Sequence, residues 1–220
     1  DADLVFIKNI DNVRTDSRRG DTIEFKKILA CILASLQEKS FNYLDKLEAT
    51  HEPADDLMGE VRAFINRSLC VQFNDERFGI LTPEEKKVFL MGLLDRPMRV
   101  CGMVRNEGEP GGGPFWVRNH DGTVSLQIAE PSQVAPDQTE ILARGTYFNP
   151  VDLVCGIRNY RGEKFDLENY VDPSAGFISG ESKDGQTIRA QELPGLWNGS
   201  MARWNSVFVE VPVSTFTPVK

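Results

Sequence analysis

The apolar run Leu4-Val5-Phe6-Ile7 breaks abruptly into Lys8-Asn9-Ile10-Asp11-Asn12. A continuous apolar stretch of this kind reads as a strand covered on both faces, the habit of strands in a parallel α/β sheet. In such sheets ligands sit just beyond the carboxyl ends of the strands. The chemistry is therefore expected around residues 8–12, and the plain alternative is a polar turn after a strand. A parallel strand buried in this way needs neighbours on both sides. None precedes this one, so the sequence reads as a segment of a longer protein.

Asp21-Thr22-Ile23-Glu24 has the Asp-x-x-Glu form of a capping box, and the apolar spacing after it predicts a helix over 22–39. A second helix is expected over 41–49, stopped by Pro53. A third starts at Asp55, with Leu57, Val61, Phe64, Ile65 and Leu69 as its inner face. Thr82-Pro83-Glu84-Glu85 combines a cap, a proline at the first helical position and acids at the positive end of the dipole. That helix should carry Val88, Phe89, Leu93 and Leu94 inward.

From Arg96 the texture changes to strands. They are expected over 98–104, 115–117, 124–128, 151–157 and 207–213, with Asn119-His120-Asp121-Gly122 as a hairpin turn. Residues 163–190 read as polar, with turns at Asp172-Pro173 and Asp184-Gly185. The order predicts an α/β or α+β chain with a mixed sheet. It divides into a core strand and active-site loop (1–21), a helical block (22–95) and a β-rich, substrate-side half of the same domain (96–220).

The chain carries 33 acidic against 25 basic residues, a formal charge of −8. That balance argues against nucleic acid as a partner, because phosphate neutralisation needs a local excess of Lys and Arg. No stretch reaches the ~20 apolar residues of a bilayer span. Cys31, Cys70, Cys101 and Cys155 are widely spaced, and only His51 and His120 accompany them. Zinc and a disulfide framework are thus disfavoured, and buried reduced thiols in a cytoplasmic protein are the better reading.

Three stretches could carry chemistry. Gly111-Gly112-Gly113 ends a loop, and successive glycines let a backbone approach a ligand and offer it N–H groups. The spacing fits neither a Walker loop nor a dinucleotide fingerprint. Trp197, Asn198, Trp204 and Asn205 could form an aromatic and amide wall, although Trp204 reads as core in either case. Neither histidine has a Ser or Cys partner by motif, which leaves a nucleophilic triad without support.

Several segments, in their order, resemble the UDP-sugar pyrophosphorylases, nucleotidyltransferases of the glycosyltransferase-A-like, Rossmann-like α/β fold. The segment at 6–12 looks like their strand ending in Asn-Ile-Asp-Asn. The triglycine, Asp121-Gly122-Thr123-Val124 and Ile128-Ala129-Glu130-Pro131-Ser132-Gln133-Val134 are similar to their Gly-Gly, strand and Glu-Ile-Ala-Gln-Val run. Tyr147-Phe148-Asn149 resembles their Phe-Asn segment, although Pro150 and Val151 depart from its pattern. Phe216-Thr217-Pro218-Val219-Lys220 resembles their Phe-x-Pro-Val-Lys.

The combined text resembles most a bacterial branch, typical of Bacteroides-type bacteria, that carries a domain of unknown function. The resemblance implies the C-terminal half of an enzyme joining a sugar-1-phosphate to a nucleoside triphosphate with Mg²⁺ and releasing pyrophosphate. Asp11 would then hold the metal, and Asn9 and Asn12 would contact nucleotide or sugar. Gly111, Gly112, Gly113, Glu130 and Asn149 would grip the sugar, and Lys220 would neutralise phosphate charge in the transition state. A non-catalytic binding module and an interaction domain built on the helical block remain the alternatives.

Overall fold

The structure, a computed structural model, describes residues 2–9, 12, 15, 19–108, 111–195 and 199–216. β1 (Leu4–Lys8) precedes the helices α1 (Gly20–Glu48) and α2 (Asp55–Ser68), the short β2 (Val71–Gln72), α3 (Asp75–Gly79) and α4 (Pro83–Leu94). The strands β3 (Met98–Arg105), β4 (Gly113–Arg118) and β5 (Val124–Ala129) follow, then α5 (Thr139–Ala143), β6 (Tyr147–Phe148) and β7 (Asp152–Gly156). A ribbon of β8 (Phe177–Lys183) and β9 (Gln186–Glu192) leads to β10 (Asn205–Glu210). The main sheet runs β1-β7-β3-β10 with β6 appended to β3, while β2-β5-β4 form a second sheet. Only the β3–β10 pair is parallel, so the sheet is mixed, as expected.

The helices cover one face of the main sheet and the second sheet approaches the other. Leu29, Leu33, Val61, Ile65, Leu90 and Leu94 pack onto Met98, Val100 and Val154. On the opposite face Cys101, Leu153 and Cys155 meet Ile128, Met201 and Trp204. β3 is buried along all but its last residue, as a strand flanked on both edges and covered on both faces must be.

Several sequence expectations need correction. β1 pairs only with β7, antiparallel and at the edge of the described sheet. Its apolar run is real: Val5 and Ile7 face one core and Leu4 the other. Phe6, however, is 50% exposed and lies under the ammonium of Lys26. An apolar run reports cover on two faces and says nothing of strand direction.

The helices expected over 22–39 and 41–49 are one, because neither glycine nor proline interrupts residues 21–52. Ser40 stays inside it by donating its hydroxyl to the Leu36 carbonyl. The helix opens at Gly20 without a side-chain cap, so the box expected at Asp21 is absent and Asp21 lies in the first turn. The Thr82–Glu85 box does form, with Thr82 N–H donating to Glu85 Oε2 at 2.8 Å. Val88 on that helix points to solvent, and Leu90 takes the inner place expected of it. The polar stretch 163–190 holds the β8–β9 ribbon, turning at Asp184-Gly185 with both residues at positive φ. Cys31 is exposed rather than buried.

Candidate functional site

β1, β3 and β10 end, and β7 begins, at one end of the main sheet. The turn Asn149-Pro150-Val151, just before β7, joins the candidate residues there. Asn149 N–H donates to the Gly112 carbonyl at 2.8 Å, and Asn9 N–H donates to the Val151 carbonyl at 3.0 Å. The Asn12 amide, buried to 2% exposure, donates Nδ2–H to the Pro150 carbonyl at 3.0 Å. Val151 holds φ +60°, a strained state for a β-branched residue and one that clusters at functional sites.

Glu130 stands at the end of β5 facing the triglycine. The Gly112 N–H donates to its carboxylate and so lowers its pKa; partial burial outweighs this and holds the group above the usual glutamate value. A Cβ on Gly112 would lie 2.7 Å from Glu130 Oε1, and one on Gly113 would lie 2.8 Å from the Tyr147 carbonyl oxygen. The two glycines thus admit a close approach of three segments, while Gly111 uses its freedom at φ +123°. Gln133 fixes the acid from behind: its Oε1 accepts the Glu130 N–H at 3.0 Å and its Nε2 donates to the Ala175 carbonyl at 3.1 Å. Asn149 Oδ1 accepts Val151 N–H at 3.1 Å, which leaves its amide NH₂ as the group offered to a ligand.

A charged cluster that the sequence reading missed lies beside Asn9. Asp152, 5% exposed, accepts from Lys8 Nζ at 2.7 Å and pairs with Lys26 Nζ at 2.6 Å. Two ammonium groups against one carboxylate leave this cluster itself with an excess positive charge. An acidic residue opening a near-continuous apolar strand was the available signal. Along the rim, Glu210 accepts from Tyr147 Oη at 2.6 Å and from Arg105 Nε at 3.0 Å, and these bonds hold its pKa down, Tyr147 first.

The structure therefore brings together Asn9, Asn12, Gly111, Gly112, Gly113, Glu130 and Asn149. Asp11 and Lys220, and with them Trp197 and Asn198, lie outside the described residues. Trp204 is core, and Asn205 is buried with Nδ2–H on the Leu93 carbonyl at 2.9 Å. That half of the aromatic and amide wall is structural. His120 does meet a serine, with Nε2 3.3 Å from Ser174 Oγ and 3.6 Å from Asp172 Oδ2. Both contacts use the same ring nitrogen, and the hydroxyl donates to Asp172, so the group lacks the relay of a triad. Cys101 and Cys155 are buried thiols pushed up by burial to about 11 and about 12, too protonated to act as nucleophiles.

Fold and site define a mixed α/β protein with a glycine-lined, carboxylate-bearing cradle at its strand ends. The chain belongs to the DUF4301 family, described as a domain of unknown function, whose model matches residues 1–220. No curated protein matches it. Among solved structures it is similar to variants of UDP-glucose pyrophosphorylase from Leishmania major. One is 15% identical over 64% of this chain and 33% of the other, at a TM-score of 0.36. A second, in complex with UDP-glucose, is 14% identical over 74% and 37%, also at 0.36. The matched part spans about a third of those chains. Among the described residues no helix is long and apolar enough to cross a membrane.

Proposed function

We propose that this chain forms the sugar-side half of a sugar-1-phosphate nucleotidyltransferase of glycosyltransferase-A-like fold. The observation that carries the reading is the meeting at Gly112 of two residues distant in sequence: its carbonyl accepts the Asn149 N–H at 2.8 Å, and its own N–H donates to the Glu130 carboxylate. These residues supply complementary groups for a polyol. The ionised Glu130 accepts from hydroxyls, the Asn149 amide donates to them, and the glycines let the ring approach the backbone. The excess charge of Lys8 and Lys26 over Asp152 favours an anionic group next to Asn9.

In the reaction, a phosphate oxygen of the sugar-1-phosphate attacks the α-phosphorus of the nucleoside triphosphate, and pyrophosphate departs. The cradle holds the sugar so that this oxygen is aimed. Lys220 is proposed to neutralise charge growing on the transferred phosphoryl group. Mg²⁺, proposed on Asp11, would lower the repulsion between the two anions. The described residues do not form a magnesium site by themselves: no three His, Cys, Asp or Glu side chains converge, and Asp152 is held by two lysines.

The test is pyrophosphate release from UTP and glucose-1-phosphate, and from other nucleotide and sugar pairs, by the full-length protein. Asp11→Ala should abolish it, and full activity in that variant would remove the metal role. Saturable sugar-phosphate binding without pyrophosphate release for any pair would instead make the chain a non-catalytic binding module.

A further inference from the structure

Between the β4–β5 hairpin and the segments 169–175 and 199–203 lies a second cleft of about 1120 Å³, large enough for a small molecule. It backs onto the cradle through Ala129 and Gln133, but Glu130, Gly112 and Asn149 do not line it. Three arginines line it: the exposed Arg118, and Arg96 and Arg203, whose charges act on each other. Arg96 is held by donation of Nε–H to the Gly92 carbonyl at 2.9 Å, and Arg203 by donation from Nη1 to the Asn169 carbonyl at 3.3 Å. Burial lowers the pKa of Arg96, and the like charge of Arg203 lowers it further, against the opposing effects of Asp121 and Tyr170.

The carboxylates around the pair are largely engaged elsewhere. Asp121 Oδ1 accepts from Thr123 N–H at 2.9 Å and Thr123 Oγ1 at 2.6 Å, leaving Oδ2 3.8 Å from Arg96. Asp172 Oδ1 likewise accepts from Ser174 N–H at 2.9 Å and Oγ at 2.6 Å, with Oδ2 turned to His120 at 3.6 Å. Burial pushes the carboxyl of Asp95 up, which weakens it as a counter-charge. Arg96 and Arg203 therefore meet their nearest carboxylates only through space, Asp121 at 3.8 Å from Arg96 and Asp172 in the field of Arg203. β4 contributes Phe115, Trp116 and Val117 to the lining, so this side of the cleft is largely apolar.

We propose that this cleft binds a small molecule bearing an oxyanion, phosphate or carboxylate, gripped by Arg96 and Arg203 with its body against the apolar lining that β4 contributes. Forked N–H donors match the oxygens of either anion, and the anion relieves the repulsion between the two cations.

Calorimetric titration of the full chain with inorganic phosphate and, separately, with benzoate tests this. At least one probe should saturate, and Arg203→Gln, at an exposed position, should weaken that binding about tenfold or more. Arg96→Gln should do the same, and Glu130→Gln should leave it unchanged. Saturation by phosphate alone assigns the site to phosphate esters, and by benzoate alone to aryl carboxylates; either supports it. Saturation by neither probe, or binding that Arg203→Gln does not weaken, overturns it.

Discussion

At the scale of single residues, the cradle depends on one hydrogen atom at position 112. A methyl group there meets the Glu130 carboxylate at 2.7 Å and the Ala129 carbonyl oxygen at 3.1 Å. Gly112→Ala should cost about 1–2 kcal/mol in denaturant unfolding and displace Glu130, so sugar-phosphate affinity should fall further than stability. Glu130 also sets a pH dependence. Its folded pKa lies above the ordinary value of 4.5 because burial penalises the charge more than the Gly112 N–H rewards it. The folded protein therefore takes up this proton at a higher pH than the unfolded chain does. The stability this contributes is full below the unfolded pKa and is lost as pH rises through the folded one. Binding moves the opposite way. Affinity for a sugar-phosphate should decline on acidification beginning above pH 4.5, and Glu130→Gln should remove the part owed to this carboxylate, leaving only the decline from protonation of the ligand's own phosphate.

At the scale of elements, the legible features were those fixed by local chemistry. Thr82-Pro83-Glu84-Glu85 gave a capped start because cap, proline and acid act within one turn. Thr82→Ala should lose about 1 kcal/mol, read as a lower Tm or a lower urea midpoint with unchanged slope. The hairpin at 119–122 was legible for the same reason, with Gly122 at φ +82°. Strand direction was not legible. β1 looks like a parallel strand because an apolar run records burial, whereas direction is set by the partner 144 residues away, where Lys8 meets Asp152. The same distance hid the Lys8–Asp152–Lys26 cluster, since no window contains its three members. Gly156 was equally silent: it gives no pattern, yet a side chain there would overlap the Gln37 amide of α1.

At the scale of the whole molecule, helices on one face of a mixed sheet and a second sheet on the other leave two cores around β3. The thiols sample this layering. Cys31 should react with a thiol reagent in the native protein at once, and Cys101 and Cys155 only on unfolding. Simultaneous reaction of all four in the native state would contradict the two-core packing. The cradle was legible in the sequence as separate pieces, the triglycine, Glu130 and Asn149. What the sequence withheld was that the turn at 149–151 ties them to Asn9 and Asn12.

Glu130, set against the Gly112 N–H, is the group proposed to accept the sugar's hydroxyls. The direct measurement is calorimetric binding of glucose-1-phosphate to the full-length protein and to Glu130→Gln, with unfolding followed in parallel. A charged acceptor contributes about 1.5–3 kcal/mol, so affinity should drop roughly 10- to 100-fold while the unfolding midpoint holds or rises. Equal affinity in the two proteins would exclude Glu130 as the sugar's acceptor.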